Sequence, residues 1–271
     1  MGFTQEAFDA FMASRDEPGW LTDLRHSAWK HFSELPMPSQ RDEEWMRTDI
    51  RLFRLDKFGQ DETNSGGPLP PSVLGGEIEV AGMMSSKDSE SISIEFDPEL
   101  AAQGVLFGDT ESMVREHADL IRPHFMSRAV DPLYDKFSAM HAAFWKGGSL
   151  LYVPRGVAIE KPLCTLAALG EGQIDLGHTL IVLEEGAEAT FLAESHSMPG
   201  CESGLHVGAV EMLLGPRSRL RYVNLQEWGT GVWHFSHQKA VIDRDASIQW
   251  TIGALGSKLA KVNQHVALVG T

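Results

Sequence analysis

Val153-Pro-Arg-Gly-Val-Ala-Ile159 is followed along the chain by three segments of the same design: Leu183-Glu-Glu-Gly-Ala-Glu-Ala189, Leu214-Gly-Pro-Arg-Ser-Arg-Leu220 and Ile242-Asp-Arg-Asp-Ala-Ser-Ile248. Each places a tight turn between two apolar positions, and the segments begin at the nearly evenly spaced positions Val153, Leu183, Leu214 and Ile242. One such unit cannot bury its apolar side alone, so the units are expected to stack on one another. The near-constant period predicts a parallel, right-handed β-helix. A jelly roll or cupin-like sandwich also uses many short strands and is the alternative fold.

The repeat divides the chain into two expected domains. Residues 149–271, rich in β-branched residues and leucine, form the predicted β-helix core, and residues 1–148 form a predicted α-helical region with a small β subdomain. The fold class is therefore expected to be mainly β with a helical N-terminal region. A fifth unit begins at Val269, at nearly the same spacing after Ile242, and an uncovered coil edge favours strand pairing. We expect the β-helix to be incomplete at this end, or covered there by a partner or a second copy.

The N-terminal region carries weaker patterns. Apolar spacing over residues 20–35 predicts a helix that ends before Pro36. The polar, Gly-rich and Pro-rich residues 60–71 predict a linker, and alternation over 77–80 and 91–96 predicts two strands. Helical spacing resumes over 110–145, broken at a proline and ended by two glycines. The expected apolar stripe of this stretch comprises Leu133, Phe137, Met140 and Phe144.

Composition excludes several classes of partner. The chain has 271 residues and is 42% hydrophobic, and its 38 acidic against 23 basic residues give a net charge of −15. Phosphate backbones and anionic membranes are repelled by such a surface, so neither nucleic acid nor a membrane is expected as a partner. No apolar run approaches the ~18 residues of a membrane helix. Two cysteines are too few for a disulfide framework, which favours a cytoplasmic location.

Motif searches predict no enzyme. The sequence contains no GxGxxG loop, P-loop, GxSxG elbow or HExxH helix. His234 and His237 form an H-x-x-H pair, but a spacing of three on a strand sends the two side chains to opposite faces. Stacked coils are able to bring two imidazoles together, yet no metal site is predicted from spacing alone. The other histidines of the repeat region are His178, His196, His206 and His265.

The remaining chemically active side chains also receive structural interpretations. Cys164 lies among apolar residues and is expected to be buried, whereas Cys201 is expected to be more exposed. Cys201 stands beside Glu202 and no basic residue, so a catalytic or sulfur-carrying role is not predicted.

Charged residues near the turns are interpreted in the same way. The adjacent Glu184 and Glu185 favour a solvated corner over a glycosidase-type carboxylate pair. Arg217, Arg219 and Arg221 alternate along one strand face, where they are able to pair with acidic groups of the next coil, and they favour a solvated ladder of surface charge over an anion site.

Three blocks of sequence carry a family resemblance. The first is Trp20-Leu-Thr-Asp-Leu-Arg-His-Ser-Ala-Trp29 with Leu35-Pro36-Met37-Pro38 and Glu44-Trp45-Met46-Arg47-Thr48. The others are Ala139-Met-His-Ala-Ala-Phe-Trp-Lys-Gly-Gly148 with Leu151-Tyr-Val-Pro-Arg-Gly156, and Gly253-Ala-Leu-Gly-Ser-Lys-Leu259. Together they resemble the SufB/SufD family of iron–sulfur cluster assembly proteins over nearly the whole chain. The opening block is more similar to SufD than to SufB.

The resemblance implies a non-catalytic scaffold subunit of the SUF complex. In this family a SufB-like subunit pairs through the β-helices and a SufC-like ATPase docks on a helical C-terminal domain. The family's functional Cys and His residues are expected beyond Thr271, so no catalytic, cofactor-binding or metal-binding residue is assigned here. An iron–sulfur cluster is expected on the assembled complex and not on this chain alone. The alternatives are a carbohydrate-active β-helix enzyme, which would normally be exported, and a flavin- or metal-binding oxidoreductase.

Overall fold

Residues 2–59 and 67–270 are described by a computed structural model of the chain. Its α-helices are α1 (Gln5–Ala13), α2 (Gly19–Glu34), α3 (Pro98–Ala102), α4 (Thr110–Glu116), α5 (Ala118–Ile121) and α6 (Lys136–Phe144). Its strands are β1 (Gly82–Lys87), β2 (Glu90–Phe96), β3 (Leu106–Asp109), β4 (Gly148–Val153), β5 (Leu163–Leu169), β6 (Ile174–Asp175), β7 (His178–Leu183), β8 (Glu188–Ser197), β9 (Gly204–Leu214), β10 (Arg219–Glu227), β11 (Val232–Ile242), β12 (Ser247–Ala254) and β13 (Leu259–Leu268).

From β4 onward the chain winds as a parallel β-helix with two long sheets. The front sheet has the strand order β12-β10-β8-β5-β1-β2, and the back sheet has the order β13-β11-β9-β7-β4-β3. All pairings between successive coils are parallel. The predicted β-helix is therefore confirmed, and the sandwich alternative is wrong.

The sequence repeat corresponds to strand register. Val153 pairs with Leu183, Leu183 with Leu214, and Leu214 with Ile242, so the first residue of each unit stacks on the next. The backbone amide of Val269 donates to the Ile242 carbonyl at 2.9 Å and continues the series. Each interval between these stacked positions is one coil of the β-helix.

The turn at the centre of each unit repeats one backbone conformation. Gly156, Gly186, Arg217 and Asp245 occupy equivalent positions, with φ of +72°, +71°, +59° and +59°. This left-handed region is free for glycine and tolerated by aspartate, but it costs free energy for a residue such as arginine. The stacked turns place their apolar flanks inside the coil, next to one another.

The N-terminal region extends both sheets and covers one of them. β1 pairs in parallel with β5 and carries β2 as an antiparallel edge, while β3 pairs antiparallel with β4. Helices α1, α2, α4, α5 and α6 pack on the outer face of the back sheet through a buried hydrophobic cluster rich in aromatic side chains, whereas Leu100 of α3 packs in the other core. In that cluster Phe137 of α6 stacks on Phe235 of β11 with ring centroids 3.9 Å apart.

Some expectations for this region hold and others do not. α2 confirms the helix predicted over 20–35, and β2 confirms the strand predicted over 91–96. The strand predicted over 77–80 is wrong, because these residues form turns and the strand begins at Gly82. β1 shows no alternation because it is almost entirely buried, with one face on the coil interior. Of the predicted linker, residues 60–66 lie outside the described residues.

The helical stretch predicted over 110–145 is interrupted for longer than expected. α4 and α5 end by Ile121, and residues 122–135 are turns and loop before α6 begins. Leu133 lies in that loop with 39% of its surface exposed, so its place in the predicted apolar stripe is wrong. The Asp135 side chain caps α6 by accepting from the amides of Phe137 and Ser138. Among the described helices, none has the length and apolar character required to cross a membrane.

Candidate functional site

The interior of the β-helix has an apolar half and a polar half. Near the turns it is filled by side chains such as Leu183, Phe191 and Met212. Away from the turns it encloses a cavity of about 80 Å³. Hydroxyl and amide side chains line much of this cavity: Ser86, Ser149, Thr165, Thr179, Ser195, Asn224, Gln226, Ser236 and Gln238. The Gln226 amide nitrogen is buried without a hydrogen-bond partner among the described residues. Burying polar side chains in this way costs folding free energy unless they form hydrogen bonds.

Three ionisable side chains stack in register along the wall of this cavity. Asp175 of β6 pairs with His206 of β9, and His206 pairs with His234 of β11. The Nδ1 atoms of His206 and His234 lie 2.7 Å apart, and His206 Nε2 lies 3.8 Å from Asp175 Oδ2. Since His206 turns one ring nitrogen to each neighbour, the three groups form a line and not a chelate. Trp228 closes the line by donating from Nε1 to His234 Nδ1 at 3.2 Å.

Burial sets the charge of this line. It lowers the pKa of His206 to about 4 and, with His206 adjacent, holds the pKa of His234 well below its ordinary value. Burial raises the pKa of Asp175. The rings are therefore neutral at pH 7, and the single lone pair of His234 Nδ1 is shared by two donors, Trp228 Nε1 and His206 Nδ1. Within the part of the chain that is described, no group of three or more His, Cys, Asp and Glu side chains is arranged to hold a metal ion.

A second histidine pair lies between α6, which carries His141, and the outer face of the back sheet, which carries His178. His141 Nε2 is 3.1 Å from His178 Nδ1, and His178 Nε2 is 3.1 Å from Glu211 Oε2. Glu211 also accepts from the backbone amides of Met126 at 2.7 Å and Val130 at 2.9 Å. The network thus joins α6 and the loop before it to β7 and β9.

The outer face of the front sheet holds a carboxylate in a backbone nest. Glu194 of β8 accepts from the amides of Val73 at 2.7 Å and Leu74 at 2.9 Å, and from the Ser72 hydroxyl. We call residues 72–75 the Ser72 loop. His196 lies between two carboxylates, with Nε2 3.0 Å from Glu194 and Nδ1 3.2 Å from Glu227. This arrangement fastens the Ser72 loop to the β-helix.

Both cysteines are free thiols in unreactive settings. Cys164 is fully buried under the Ser72 loop, and burial, with the Glu194 carboxylate nearby, raises its pKa to about 12. Cys201 is half-buried, as expected the more exposed of the two, and its Sγ donates to the carbonyls of Gly170 and Ser203. Burial raises the pKa of Cys201 as well.

The predicted separation of His234 and His237 is confirmed. His234 lines the interior cavity, while His237 lies on the opposite face of β11, where its Nε2 is 3.1 Å from Asp135 Oδ1. The Asn263 amide is 3.3 Å from its other ring nitrogen. His265 lies exposed on β13. The structure does not bring His237 and His234 together.

The charged residues at the turns form ion pairs between coils. Glu185 pairs with Arg217 of the next coil and, at 2.7 Å, with Arg155 of the preceding one. Arg219 pairs with Glu188 at 2.8 Å, so two of the three arginines pair with the preceding coil and not with the next coil. Exposed pairs of this kind add little to stability, and they mark a structural ladder.

The interior line was within reach of the sequence, although it was not predicted. Asp175, His206 and His234 follow one another at the same intervals that separate Leu183, Leu214 and Ile242. Applying the repeat register to polar positions would have stacked them. Glu194 and Glu211 had no such signal, because most of their hydrogen-bond donors are backbone amides of the non-repeating N-terminal region.

Two family models match the chain. Residues 166–271 match the model described as "SUF system FeS cluster assembly, SufBD core domain", and residues 85–164 match the "SufBD protein N-terminal region". The core match begins within β5 and covers the coils that hold the histidine line.

Curated relatives match along almost the entire chain. The iron–sulfur cluster assembly protein SufB of Bacillus subtilis is 28% identical over 275 residues, covering 95% of this chain and 58% of the relative. An iron–sulfur cluster assembly SufBD family protein of Staphylococcus epidermidis is 29% identical over 280 residues, covering 99% of this chain and 60% of the relative. A SufBD family protein of Staphylococcus aureus is 27% identical over 286 residues, covering 99% of this chain and 60% of the relative. The chain thus spans about three fifths of the length of these relatives.

Proposed function

Because the chain belongs to the SufBD family of iron–sulfur cluster assembly proteins, we propose that it is a non-catalytic scaffold subunit of a SUF complex. It pairs with a SufB-like subunit and works with a SufC-like ATPase. The observation that carries this proposal is the parallel β-helix over the residues that match the SufBD core. A stacked coil offers a long, rigid surface for another subunit.

The SufD-like role rests on the opening sequence block alone. The named relatives are SufB and SufBD family proteins, so their names support the family and not the subunit type. The chemistry of the described thiols favours a supporting role, since iron–sulfur clusters are held by thiolates and burial raises the pKa of both cysteines. The cluster then belongs to the assembled complex. The free thiols also favour the reducing cytoplasm as its location.

Co-expression tests the proposal directly. The tagged chain is produced with the SufB-like and SufC-like subunits of the same organism, and the stoichiometry of the purified species is measured by size-exclusion chromatography with light scattering. A complex containing both partners is expected. Anaerobic supply of iron and a sulfur donor should then give cluster absorbance on this complex.

Parallel experiments separate the alternatives. If the chain is SufB-like, it should pair with a SufD-like subunit in preference to the SufB-like one. Self-association without either partner would support a homo-oligomer instead. Failure to pair with any of these subunits, with the chain folded by circular dichroism, would refute the scaffold assignment.

A further inference from the structure

The buried network of His141, His178 and Glu211 ends in a hydrogen-bond acceptor on each side. His141 Nδ1 lies 2.8 Å from the carbonyl oxygen of Val207, which cannot donate. At the other end His178 Nε2 lies 3.1 Å from the Glu211 carboxylate, and between them the two rings meet at 3.1 Å. The chain of contacts therefore runs carbonyl, imidazole, imidazole, carboxylate.

The hydrogen bonds of this network need more hydrogens than two neutral histidines carry. Each of the three contacts needs one hydrogen between its two heavy atoms, and neither terminal oxygen of an amide or a carboxylate supplies one. Two neutral imidazoles carry only two hydrogens. We propose that the folded protein holds a third proton in this network, so that His141, His178 and Glu211 together carry no net charge.

The third proton has two positions open to it in the network. It makes one ring an imidazolium beside a carboxylate, or it resides on the Glu211 carboxyl group and is donated to His178. Groups coupled this closely exchange protons as one unit. The proposal concerns the total of three protons, which is the same in both arrangements.

Burial is the reason that the network needs the third proton. The three side chains are at most 1% exposed, and the His178 ring packs against Phe125 with centroids 4.3 Å apart. An ionised carboxylate in such surroundings needs a compensating positive charge or a proton. Glu211 forms no ion pair with a lysine or arginine in the described chain, and His178 is its partner.

Other ionisable groups near the network do not provide that compensation. His124, on the loop that Glu211 binds, has its pKa lowered by burial and by Arg128, and it is thus neutral at pH 7. Arg25 of α2 donates to Ala143 and Trp145 beside α6, but it is paired with Glu17. A positive charge on His206 or His237 of the β-helix would oppose protonation of His141, and Glu184 acts on His124.

The network therefore couples docking of the helical region to proton uptake. In the unfolded chain two imidazoles with a pKa of ~6.5 and a free carboxylate hold two protons above neutral pH. The folded chain holds three, so the unfolded state binds fewer protons and stability falls as pH rises. The network stabilises most near pH ~6.5, where the two unfolded imidazoles together also hold about three protons, and on the alkaline side the stabilisation is lost by up to about tenfold in the unfolding equilibrium constant per pH unit.

Nitrogen NMR tests the number of protons in the network of the wild-type protein itself. With ¹⁵N-labelled histidine, the ring nitrogens of His141 and His178 are assigned by comparison with His141→Gln and His178→Gln, and their chemical shifts report which carry hydrogen. If the proton resides on a ring, three of the four nitrogens are protonated at pH 7. If it resides on Glu211, two are protonated, the nitrogens facing Val207 and His141. A hydrogen on His178 Nε2, none on His178 Nδ1 and only one on His141 would give two protons in total and overturn the proposal.

Glu211→Gln tests the link to stability. Its amide group can donate to His178 Nε2, so the contacts of the two neutral rings need no added proton, and the Met126 amide loses its acceptor at every pH. Denaturant unfolding between pH 7 and pH 9 should therefore show a pH slope smaller by about one proton than in the wild type. A merely structural role of Glu211 would shift stability equally at every pH and leave the slope unchanged, which contradicts the proposal. Glu184→Gln, a carboxylate outside the network, is the matched control and should keep the wild-type slope.

Discussion

The Glu194 carboxylate accepts a hydrogen bond from the hydroxyl of Ser72, which precedes it by 122 residues. Around this contact the amides of Val73 and Leu74 also point at the carboxylate, and Cys164 lies beneath. The Ser72 loop has neither helix nor strand of its own. Its position on the β-helix is thus determined largely by one buried acidic side chain.

We expect this fastening to be lost in acid. Burial alone would raise the pKa of Glu194, but hydrogen bonds from His196, Ser72 and the loop amides outweigh burial and lower the pKa to about 2. The native state therefore binds fewer protons, so the contribution of Glu194 is complete above its unfolded pKa of ~4.3 and fades as pH falls toward 2. Glu194→Gln should destabilise the chain by about 2 kcal/mol at pH 7 and flatten this acid dependence.

Alkylation of Cys164 provides a local measurement of the same contact. Iodoacetamide should react with Cys164 many times faster in Glu194→Gln than in the wild type, because a released loop uncovers the thiol. Glu188→Gln, at a half-buried carboxylate on the same strand that pairs with Arg219 and not with the Ser72 loop, should leave the rate unchanged. Equal alkylation rates in Glu194→Gln and the wild type would show that Glu194 does not hold the loop.

The line of interior histidines depends on a glycine. A Cβ atom at Gly208 would lie 2.5 Å from Cε1 and 2.6 Å from Nε2 of His206, closer than real contacts allow. Gly208→Ala should therefore displace the His206 ring and destabilise the chain by about 1 to 3 kcal/mol in thermal or denaturant unfolding. Gly19→Ala, where a Cβ meets nothing within 4 Å, is the control and should be neutral or slightly stabilising. An unchanged unfolding midpoint for Gly208→Ala would mean that the ring has room elsewhere.

Arg25 anchors the helical region to the start of the β-helix. It is fully buried, donates from Nε to both carboxylate oxygens of Glu17 and from Nη1 to the carbonyls of Ala143 and Trp145, and lies over the Trp145 ring. Arg25→Ala leaves these acceptors unsatisfied and should cost about 3 to 5 kcal/mol of unfolding free energy. Arg25→Lys should recover only part, since an ammonium lacks the planar fork. Arg51→Ala, on the surface, should change nothing measurable; an equally small loss for Arg25→Ala would refute the anchoring role.

Besides α2 and β2, the parts of this fold that could be predicted are those that repeat. Val153, Leu183, Leu214 and Ile242 stack in register because every coil must bury the same apolar position, and that requirement is visible as a sequence interval. β1 has no counterpart in the repeat and is buried along most of its length, so it carries neither period nor alternation.

In the candidate site, too, the contacts between repeating positions could be predicted and the others could not. His206 and His234 share the coil interval with Asp175, and their stacking followed from information that the sequence contains. Glu211 instead accepts hydrogen bonds from the backbone amides of Met126 and Val130. Every residue except proline has such an amide, so the sequence does not show which amides bind Glu211. Contacts between a side chain of the repeat and the backbone of a loop require coordinates.

Neither cysteine should be needed for cluster assembly. Burial raises the pKa of both thiols, so few thiolates form at physiological pH, and the described hydrogen bonds of Cys201 involve no basic residue. We expect Cys164→Ser and Cys201→Ser to support assembly in the complete complex at the wild-type rate, measured by cluster absorbance. Loss of assembly in either variant, with the complex intact by size-exclusion chromatography, would show that a thiol of this chain takes part.

The chain alone should not retain an iron–sulfur cluster. A cluster needs several thiolate ligands close together, whereas Cys164 is buried under the Ser72 loop and Cys201 is in the loop between β8 and β9. Their thiols contact backbone carbonyls, a serine and a glutamate, and not each other. After anaerobic reconstitution and desalting, iron and sulfide should fall to the level found with a Cys164→Ser, Cys201→Ser double variant. Stoichiometric iron in the wild type that disappears in the double variant would overturn this expectation and place a cluster ligand in this chain.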